Sequence, residues 1–445
     1  MRLDEFRIQR FKAFVDANVR PAGLTVLLGA NNQGKSTVLH AMALTGQSAA
    51  ANNFMSNGSI IDLGQDLRAL THAVGPPSRG RPPDGWQITW TWTAQSEGPD
   101  LPPPSTPVTV TYSMDLHPQG HVVTEFGVGL EAPRGRHVDV RVGASTGVFM
   151  VDAAPGRSIL GELQPFTSQV HLAQLSPFTA LPGMTMPTSV DADALERGVP
   201  GPTTEYALAH ATPYTAWGIQ EALTTFRYIG ANRHVESSVF ALGTQSHANP
   251  RTAQELVDTL AYNSDVLRRV SERCKDIFGY GVEIDLLPNR QVALTALGKD
   301  RQKKNIVNMG TGLIQLIWIL TQLELSASTP RRNQALQPLV GIEEPELHLH
   351  PGLQPNAARV LAEFVKSGLQ IVCTTQSDHF LMSVLDLVLE KIIPSNEVAV
   401  YYITNGHAEL LDLDEKGQLR GGLRGFFEEN EAQLERHIEL LKRGG

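Results

Sequence analysis

Short segments of alternating apolar and polar residues dominate the first third of the chain. Residues 3–10 and 24–28 have the pattern of two strands around a turn, and residues 86–94 alternate in the same way. From 99 to 150, four or five further alternating segments are separated by Pro and Gly, as in an antiparallel meander. The pattern therefore predicts a β-rich N-terminal lobe.

The middle of the chain changes to a helical period. Residues 215–226 and 252–277 carry apolar side chains at helical spacing, whereas 281–296 and 305–307 return to the strand pattern. An apolar helix opens near 308 and continues to about 325. We expect a mixed subdomain of helices and strands here.

Strand and helix patterns alternate in the C-terminal third. The predicted elements are a strand at 339–342, a helix at 356–367, a strand at 370–375, a helix at 380–389, a strand at 398–403 and a last helix at about 428–443. This order is typical of a parallel sheet with crossover helices.

The segment GANNQGKST connects a predicted strand to a helical run, and it has the spacing of a phosphate-binding loop. Its glycines let backbone N–H groups point at phosphate oxygens, Lys35 would reach the β- and γ-phosphates, and Ser36 would place a hydroxyl on Mg²⁺. The alternative is a chance glycine turn with a surface lysine, but such a turn would rarely fall between a strand and a helix. The predicted nucleotide-binding residues are Gly29, Asn31, Asn32, Gly34, Lys35, Ser36 and Thr37, with ATP and Mg²⁺ as the expected ligands.

A second candidate element is the apolar strand at 339–342, which runs into the string EEPE. Glu343 would stand beside the magnesium ion, since hard cations prefer oxygen ligands. Glu344 would orient or deprotonate the attacking water as general base. The alternative is a glutamate-rich surface turn, which an apolar strand directly before it disfavours.

The distance between the two motifs selects among nucleotide-binding architectures. Glu343 follows Lys35 by 308 positions, whereas an AAA+ module, a small GTPase or a kinase would place its acidic strand far sooner. We therefore predict an α/β P-loop NTPase of ABC type whose ATPase core is split, with a β-rich N-terminal lobe and a mixed insertion. The expected domains are 1–98, the N-terminal half of the core; 99–230, a β-rich and irregular insertion; 231–307, a subdomain of helices and strands that leads to the signature loop; and 308–445, the C-terminal half of the core.

The string IEEPELHLHP resembles the Walker B and D-loop segment of stand-alone ATPases related to the OLD (overcoming lysogenization defect) proteins, within the SMC/RecF-like branch of the ABC ATPases. The segment FRIQRFKAF resembles the first strand of the same family. YIGANR, which ends in Arg233, resembles a further family segment, and the resemblance assigns no role to this arginine. What the resemblance implies is a homodimer or larger oligomer that holds ATP between its subunits.

Further site residues are implied by the resemblance alone. IIDLGQDLRAL resembles the Q-loop, which makes Gln65 a direct or indirect contact of Mg²⁺. NMGTGLIQ resembles the signature loop that caps the ATP of the other subunit; the residues that would act in trans are Asn308, Gly310, Thr311 and Gly312. The chain departs from the family at its switch histidine, where it has Gln376. An amide can hydrogen-bond a γ-phosphate but cannot change charge near neutral pH, so slow hydrolysis is expected; His379 is the alternative.

Composition narrows the partners. Lys+Arg 37 against Asp+Glu 46 gives a formal net charge of −9, so contact with DNA would have to be local, at the basic clusters 301–304 or 331–332. Two cysteines, the lack of an uninterrupted apolar run of membrane-spanning length and the lack of a signal-peptide pattern predict a cytoplasmic protein without membrane contact. His348 and His350 could share a metal, but no third ligand of suitable spacing is nearby, and a metal site is not expected.

Two functions remain open from the sequence. The first is an ATP-gated sensor or switch that controls a separately encoded effector, a nuclease or a toxin, in bacterial anti-phage defence, by analogy with family members. The alternative is a RecF-like DNA-repair or recombination ATPase that binds DNA directly. The stretch between the motifs lacks heptads, which disfavours a coiled coil, and the 69 residues after Gln376 are too few for a TOPRIM nuclease. A transporter motor is disfavoured because such motors are compact.

Overall fold

The fold is described from a computed structural model of the chain. It describes residues 2–51, 61–63, 86–94, 108–116, 123–132, 136–143, 148–153, 156–162, 221–328 and 336–420. The chain divides into two compact units. The first unit comprises Met1–Arg20, His40–Phe226 and Pro330–Leu339, and the second comprises Pro21–Leu39, Arg227–Thr329 and Val340–Gly445.

The described strands are β1 (Arg2–Phe11), β2 (Phe14–Val19), β3 (Leu24–Leu28), β4 (Gln87–Ala94), β5 (Val108–Leu116), β6 (Val123–Ala132), β7 (Arg136–Gly143), β8 (Val148–Ala153), β9 (Gly156–Glu162), β10 (Arg227–Ile229), β11 (Phe240–Ala241), β12 (Gly281–Leu287), β13 (Gln291–Leu297), β14 (Lys303–Asn305), β15 (Leu339–Glu343), β16 (Gln370–Thr375), β17 (Val398–Thr404), β18 (His407–Leu413) and β19 (Leu419–Arg420). The described α-helices are α1 (Lys35–Ala51), α2 (Ala253–Tyr262), α3 (Ser264–Phe278), α4 (Thr311–Ser328), α5 (Gln354–Lys366) and α6 (Asp378–Leu389).

The first unit contains an eight-stranded antiparallel sheet in the order β2-β1-β4-β5-β6-β7-β8-β9. From β4 onward each strand pairs with the next one along the chain, which confirms the predicted meander. Buried aromatic rings hold its first strands together: Phe6 packs edge-on against Trp90 with ring centroids 4.8 Å apart, and Phe11 packs against Trp86 at 5.1 Å. Apolar side chains on one strand face thus form the core here.

The second unit contains a seven-stranded sheet in the order β10-β15-β16-β3-β17-β18-β19. The pairings of β10 with β15, of β16 with β3 and of β3 with β17 are parallel, whereas β18 is antiparallel to β17. This confirms the parallel sheet predicted for the C-terminal third. Strand β3 comes from the N-terminal part of the chain but lies between β16 and β17, which confirms the split core.

Helix α4 belongs to the core of the second unit. Its residues 312–326 are all buried, as expected of a helix that is apolar on every face. Helices α5 and α6 instead bury one face each in the same core. A smaller sheet of β11, β13, β12 and β14 completes this unit.

Two predicted elements are wrong in detail. The single helix predicted at 252–277 is interrupted at Asn263, whose Oδ1 accepts a hydrogen bond of 3.2 Å from the backbone N–H of Val266 and so caps α3. The strand predicted at 305–307 lies two positions earlier, because β14 spans Lys303–Asn305 and a 3₁₀ turn follows to Asn308. The last predicted helix, at 428–443, lies outside the described residues.

Candidate nucleotide-binding site

Three predicted motifs meet at one edge of the parallel sheet. Leu28, the last residue of β3, pairs with Thr375 of β16, and the backbone N–H of Glu344 donates to the carbonyl of Thr374 at 3.0 Å. The phosphate loop, Gln376 and the acidic pair therefore leave the ends of three neighbouring strands. The carboxyl edge of a parallel α/β sheet is the usual place for a ligand.

The phosphate loop has a backbone that depends on its glycines. Gly34 has a φ of +102° and Gly29 a φ of +155°, and a Cβ atom on Gly29 would come within 2.4 Å of the Ile403 carbonyl oxygen. Asn32 is also in the left-handed region, at +63°, which asparagine tolerates better than most residues. Helix α1 begins directly after Gly34, so its positive end faces the loop.

Lys35 lies across this loop instead of extending into solvent. Its side-chain Nζ donates to the carbonyl oxygens of Gly29 (2.6 Å) and Ala30 (2.8 Å), and the residue is only 6% exposed. Burial lowers the pKa of Lys35, while the charges of Glu344 and Glu346 act to raise it. The charges of the segment EEPE (343–346), here called the acidic string, therefore act on Lys35, although 308 positions separate Lys35 from Glu343.

A contact that the sequence did not predict fixes the tip of the loop. The side-chain Oε1 of Gln33 accepts a hydrogen bond of 3.0 Å from the backbone N–H of Asn405, in the turn between β17 and β18. Nothing in the local pattern of either segment indicates this pairing, because it joins positions 372 residues apart.

Glu343 is held by the segment that follows β10. Its Oε2 accepts a hydrogen bond of 3.2 Å from the backbone N–H of Ala231, and the phenol of Tyr228 is also hydrogen-bonded to it. Burial and the charge of Glu343 raise the pKa of Tyr228, so the phenol remains protonated and donates. The carboxylate is thus fixed at the sheet edge.

Glu344 has a constrained backbone. Its φ is +40°, a region that residues other than glycine rarely adopt, and its N–H also donates to Oγ1 of Thr374 at 3.2 Å. Its carbonyl oxygen accepts a hydrogen bond of 2.9 Å from Nη2 of Arg233. Strained backbone of this kind concentrates at functional sites.

Glu346 is a third carboxylate of the site, and the sequence interpretation missed it. Its Oε1 accepts a hydrogen bond of 2.5 Å from the Thr375 hydroxyl, and the side chain is buried. Burial raises its pKa to about 7, which the hydrogen bond from Thr375 partly opposes. The available signal was a further acidic residue three positions after Glu343 in a segment flanked by apolar residues.

The predicted signature residues lie at the start of α4. Asn308, Gly310 and Thr311 are exposed, whereas Gly312 is buried. A Cβ atom on Gly312 would come within 2.9 Å of the His348 carbonyl oxygen and 3.0 Å of Leu349 Cδ2, while one on Gly310 would meet nothing within 4 Å. The signature loop is thus packed against the loop after the acidic string and exposes its other side.

Gln376 is exposed, and the residue after it, Ser377, caps the N-terminus of α6. Oγ of Ser377 accepts from the N–H of Phe380 at 3.3 Å and donates to Oε1 of Gln354 at 2.7 Å. His379 is exposed on the first turn of α6. Gln65, the predicted Q-loop residue, lies outside the described residues.

The residues at this edge fit a magnesium ion. Ser36 and Glu343 offer hydroxyl and carboxylate oxygens, and Mg²⁺ needs only one or two protein ligands when phosphates and water supply the rest. Among the described residues no group of three or more His, Cys, Asp and Glu side chains could hold a metal. His350 has another role, because its Nδ1 accepts from the N–H of Gly352 at 3.1 Å and caps a 3₁₀ turn.

Comparison with known families and structures adds to this geometry. Residues 219–381 match a family described as an AAA ATPase domain. The matched segment contains the signature loop, the acidic string and Gln376, but it begins after the phosphate loop. A search among curated proteins finds no match.

Several solved structures are similar to the chain. The SMC head domain from Thermotoga maritima shares 13% identity, with 93% of this chain and 100% of that chain covered and a TM-score of 0.42. The Smc head domain with an extended coiled coil bound to the C-terminal domain of ScpA, derived from Pyrococcus furiosus, shares 12%, with 99% and 98% covered and a TM-score of 0.44. The Smc head domain with a coiled coil and joint, derived from Pyrococcus yayanosii, shares 10%, with 93% and 98% covered and a TM-score of 0.42.

The predicted fold class is confirmed: the chain is an α/β protein with a P-loop ATPase fold of ABC type. The ATPase-family match covers 308–381 of the C-terminal half of the split core, and the parallel sheet joins that half to the phosphate loop. Among the described helices, none has both the length and the apolar composition needed to cross a membrane.

Proposed function

We propose that the chain is an ATPase that binds ATP and Mg²⁺ between two of its own copies and acts as a nucleotide-gated switch. The observation that carries this proposal is that the phosphate loop after β3 and the acidic pair at the end of β15 lie at the carboxyl edge of one parallel sheet, on either side of β16. A phosphate-binding lysine and a glutamate that can act as general base are the two groups that ATP hydrolysis requires.

Each residue has a defined task in the reaction. The amides of the phosphate loop and Lys35 bind the phosphates, and Ser36 and Glu343 would hold Mg²⁺, which would neutralise charge on the phosphate oxygens. Glu344 takes a proton from the attacking water, whose oxygen bonds to the γ-phosphorus while the bond to the β,γ-bridging oxygen breaks and its electrons remain on ADP. Gln376 hydrogen-bonds the γ-phosphate without changing charge, which favours slow turnover.

The exposed signature residues support the involvement of a second copy. Asn308, Gly310 and Thr311 present side-chain and backbone polar groups at the N-terminus of α4, where a helix attracts phosphate. In the proposed dimer this loop caps the ATP that is held by the Lys35 of the other copy.

The test of this dimer is the variant Glu344→Gln, with Glu409→Gln as control because Glu409 is exposed on β18. We expect turnover to fall by at least about 100-fold in the first variant, since general-base catalysis is worth about 10²–10⁴. Light scattering should detect a dimer that depends on ATP and Mg²⁺. A Glu344→Gln variant that hydrolyses ATP at the parental rate, or stays monomeric with ATP, would contradict the proposal.

We further propose that the switch controls a separately encoded effector, a nuclease or a toxin, in anti-phage defence. This step rests on the resemblance of the acidic string to OLD-related ATPases. Co-expression with the products of neighbouring genes, followed by purification with and without ATP, tests it: a complex that forms in only one nucleotide state is expected. Failure of every neighbouring product to co-purify in either state would contradict it.

Direct DNA binding is the alternative outcome of the same experiment. It is not favoured by the net charge of −9, and Lys303, from the basic cluster at 301–304, forms ion pairs with Glu283 and Asp285. Salt-sensitive binding of duplex DNA that stimulates the ATPase of the chain alone would establish the alternative.

A further inference from the structure

Arg233 is buried beside the acidic string and contacts its main chain. The guanidinium donates from Nη1 to the carbonyl oxygen of Glu343 at 2.8 Å and from Nη2 to that of Glu344 at 2.9 Å. Only 2% of the residue is exposed. The planar fork of an arginine thus spans two consecutive peptide groups, a geometry that a lysine cannot reproduce.

The third donor of the same guanidinium faces the helix that carries the signature loop. Nε of Arg233 donates to Oε1 of Gln315, and Nε2 of Gln315 donates back to the carbonyl oxygen of Arg233 at 3.0 Å. Gln315 lies one turn after Thr311 on α4 and is 1% exposed. This reciprocal pair joins the start of α4 to the backbone of the acidic string.

Burial makes this link costly to break. Burial lowers the pKa of Arg233 to about 10, while Glu346, Glu343 and Glu344 act to raise it, so the group remains charged at neutral pH. A buried charged donor that loses a partner is left with a desolvated N–H, which is more costly than a lost surface contact. The two ends of the link are therefore expected to move together.

We propose that Arg233 and Gln315 are positioning residues that couple the signature loop to the general base. The inference rests on the proposed function. When the start of α4 docks on the nucleotide held by a second copy, Gln315 and Arg233 transmit its position to the carbonyls of Glu343 and Glu344. Turnover then depends on this link, whereas binding of ATP to the phosphate loop of the same chain does not.

A second buried pair on α4 supplies a matched control. Gln322, two turns after Gln315, accepts from Nη1 of Arg227 at 3.0 Å and donates to the carbonyl oxygen of Pro250. It is 2% exposed, and burial lowers the pKa of Arg227 to about 10. Both glutamines bond a buried arginine and a main-chain carbonyl, and it is Arg233, the partner of Gln315, that donates to the carbonyls of Glu343 and Glu344.

The experiment compares Gln315→Met with Gln322→Met in the full chain, because methionine keeps the shape of glutamine and removes its hydrogen bonds. Thermal unfolding, affinity for a fluorescent ATP analogue and steady-state turnover are measured for both. We expect similar losses of thermal stability, analogue affinity within about threefold of the parent, and a fall in kcat of about tenfold or more for Gln315→Met only. Arg233→Lys, which keeps the charge without the fork, should have an intermediate kcat.

A double variant separates coupling from simple local support. If the link acts through the signature loop, combining Gln315→Met with Gly310→Ala should lower kcat by much less than the product of the two single effects. Equal kcat values for Gln315→Met and Gln322→Met, or fully multiplicative effects in the double variant, would overturn the inference while the ATPase assignment stands. A parent chain without ATP turnover would overturn both.

Discussion

The hydroxyl of Thr375 donates a hydrogen bond of 2.5 Å to Oε1 of Glu346. Two strand ends of the candidate site are therefore joined by a buried carboxyl group, and burial raises the pKa of that group to about 7 from an ordinary value of 4.5. Glu346 is thus poised to change charge close to neutral pH.

A first prediction concerns the effect of pH on stability. Because the folded-state pKa of Glu346 is raised, the favourable contribution of this carboxyl group to the free energy of unfolding is complete below about pH 4.5 and is lost as the pH rises through 7. Ionisation of Glu346 in the folded protein lowers the free energy of unfolding by about 3 kcal/mol at most. Glu346→Gln can still accept a hydrogen bond from Thr375 but carries no ionisable group at this position. The free energy of unfolding of the variant minus that of the parent should therefore increase from pH 5 to pH 8.

Urea unfolding of both proteins at the two pH values measures this difference. Glu415→Gln is the control, because Glu415 is exposed in a surface turn before β19 and should show no such pH-dependent gain. A stability difference between parent and Glu346→Gln that does not change from pH 5 to pH 8 would show that Glu346 has an ordinary pKa.

A second prediction concerns Lys35. Lys35→Ala should weaken ATP binding by about tenfold to a hundredfold, since a hydrogen bond to a charged group contributes about 1.5–3 kcal/mol. Titration with a fluorescent ATP analogue measures the affinity, and Lys366→Ala, at an exposed position in α5, is the control. Undiminished affinity in Lys35→Ala would remove the phosphate-loop assignment.

A third prediction distinguishes the two glycines of the signature loop. Gly312→Ala should lower the free energy of unfolding by about 1–3 kcal/mol, because the new methyl group would press on the His348 carbonyl. Gly310→Ala meets open space, so its unfolding should match the parent while its ATP-dependent dimer becomes weaker. Thermal unfolding and light scattering measure the two effects. Loss of stability in Gly310→Ala without loss of the dimer would contradict the assignment of Gly310 to the contact between the two copies.

A fourth prediction concerns the residue at the switch position. Gln376→His should raise turnover and make it depend on pH near 6.5, the ordinary pKa of histidine, because position 376 is exposed. His379→Gln is the companion variant and should leave turnover unchanged. If His379→Gln instead slows the reaction, His379 performs the role that Gln376 cannot.

Local strings of residues were sufficient to predict most of the fold of the C-terminal third and to select the residues of the candidate site. The phosphate loop and the acidic strand each follow from a short local pattern, and the parallel sheet follows from the alternation of strand and helix patterns in the C-terminal third. Arg233 and Gln315 are 82 positions apart, and Thr375 and Glu346 are 29 apart, so their pairings depend on tertiary structure that no local pattern contains.

The same limit explains the errors in secondary structure. The apolar face of α2 continues into α3 through Leu256, Leu260, Val266 and Val270, and this periodicity conceals the break at Asn263. Strand β2 was missed because its alternation is short and begins with two adjacent apolar residues, Phe14 and Val15, and its pairing with β1 is what fixes it as a strand.

The position of β3 between β16 and β17 also determines when the protein can become active during synthesis. Its two neighbours in the sheet are made more than 340 residues later, so an emerging chain carries its phosphate loop on a strand without either partner. Contacts of such long sequence separation form late and slowly. A chain truncated before β17 therefore contains the phosphate-loop motif but lacks a strand that pairs with β3 in the sheet.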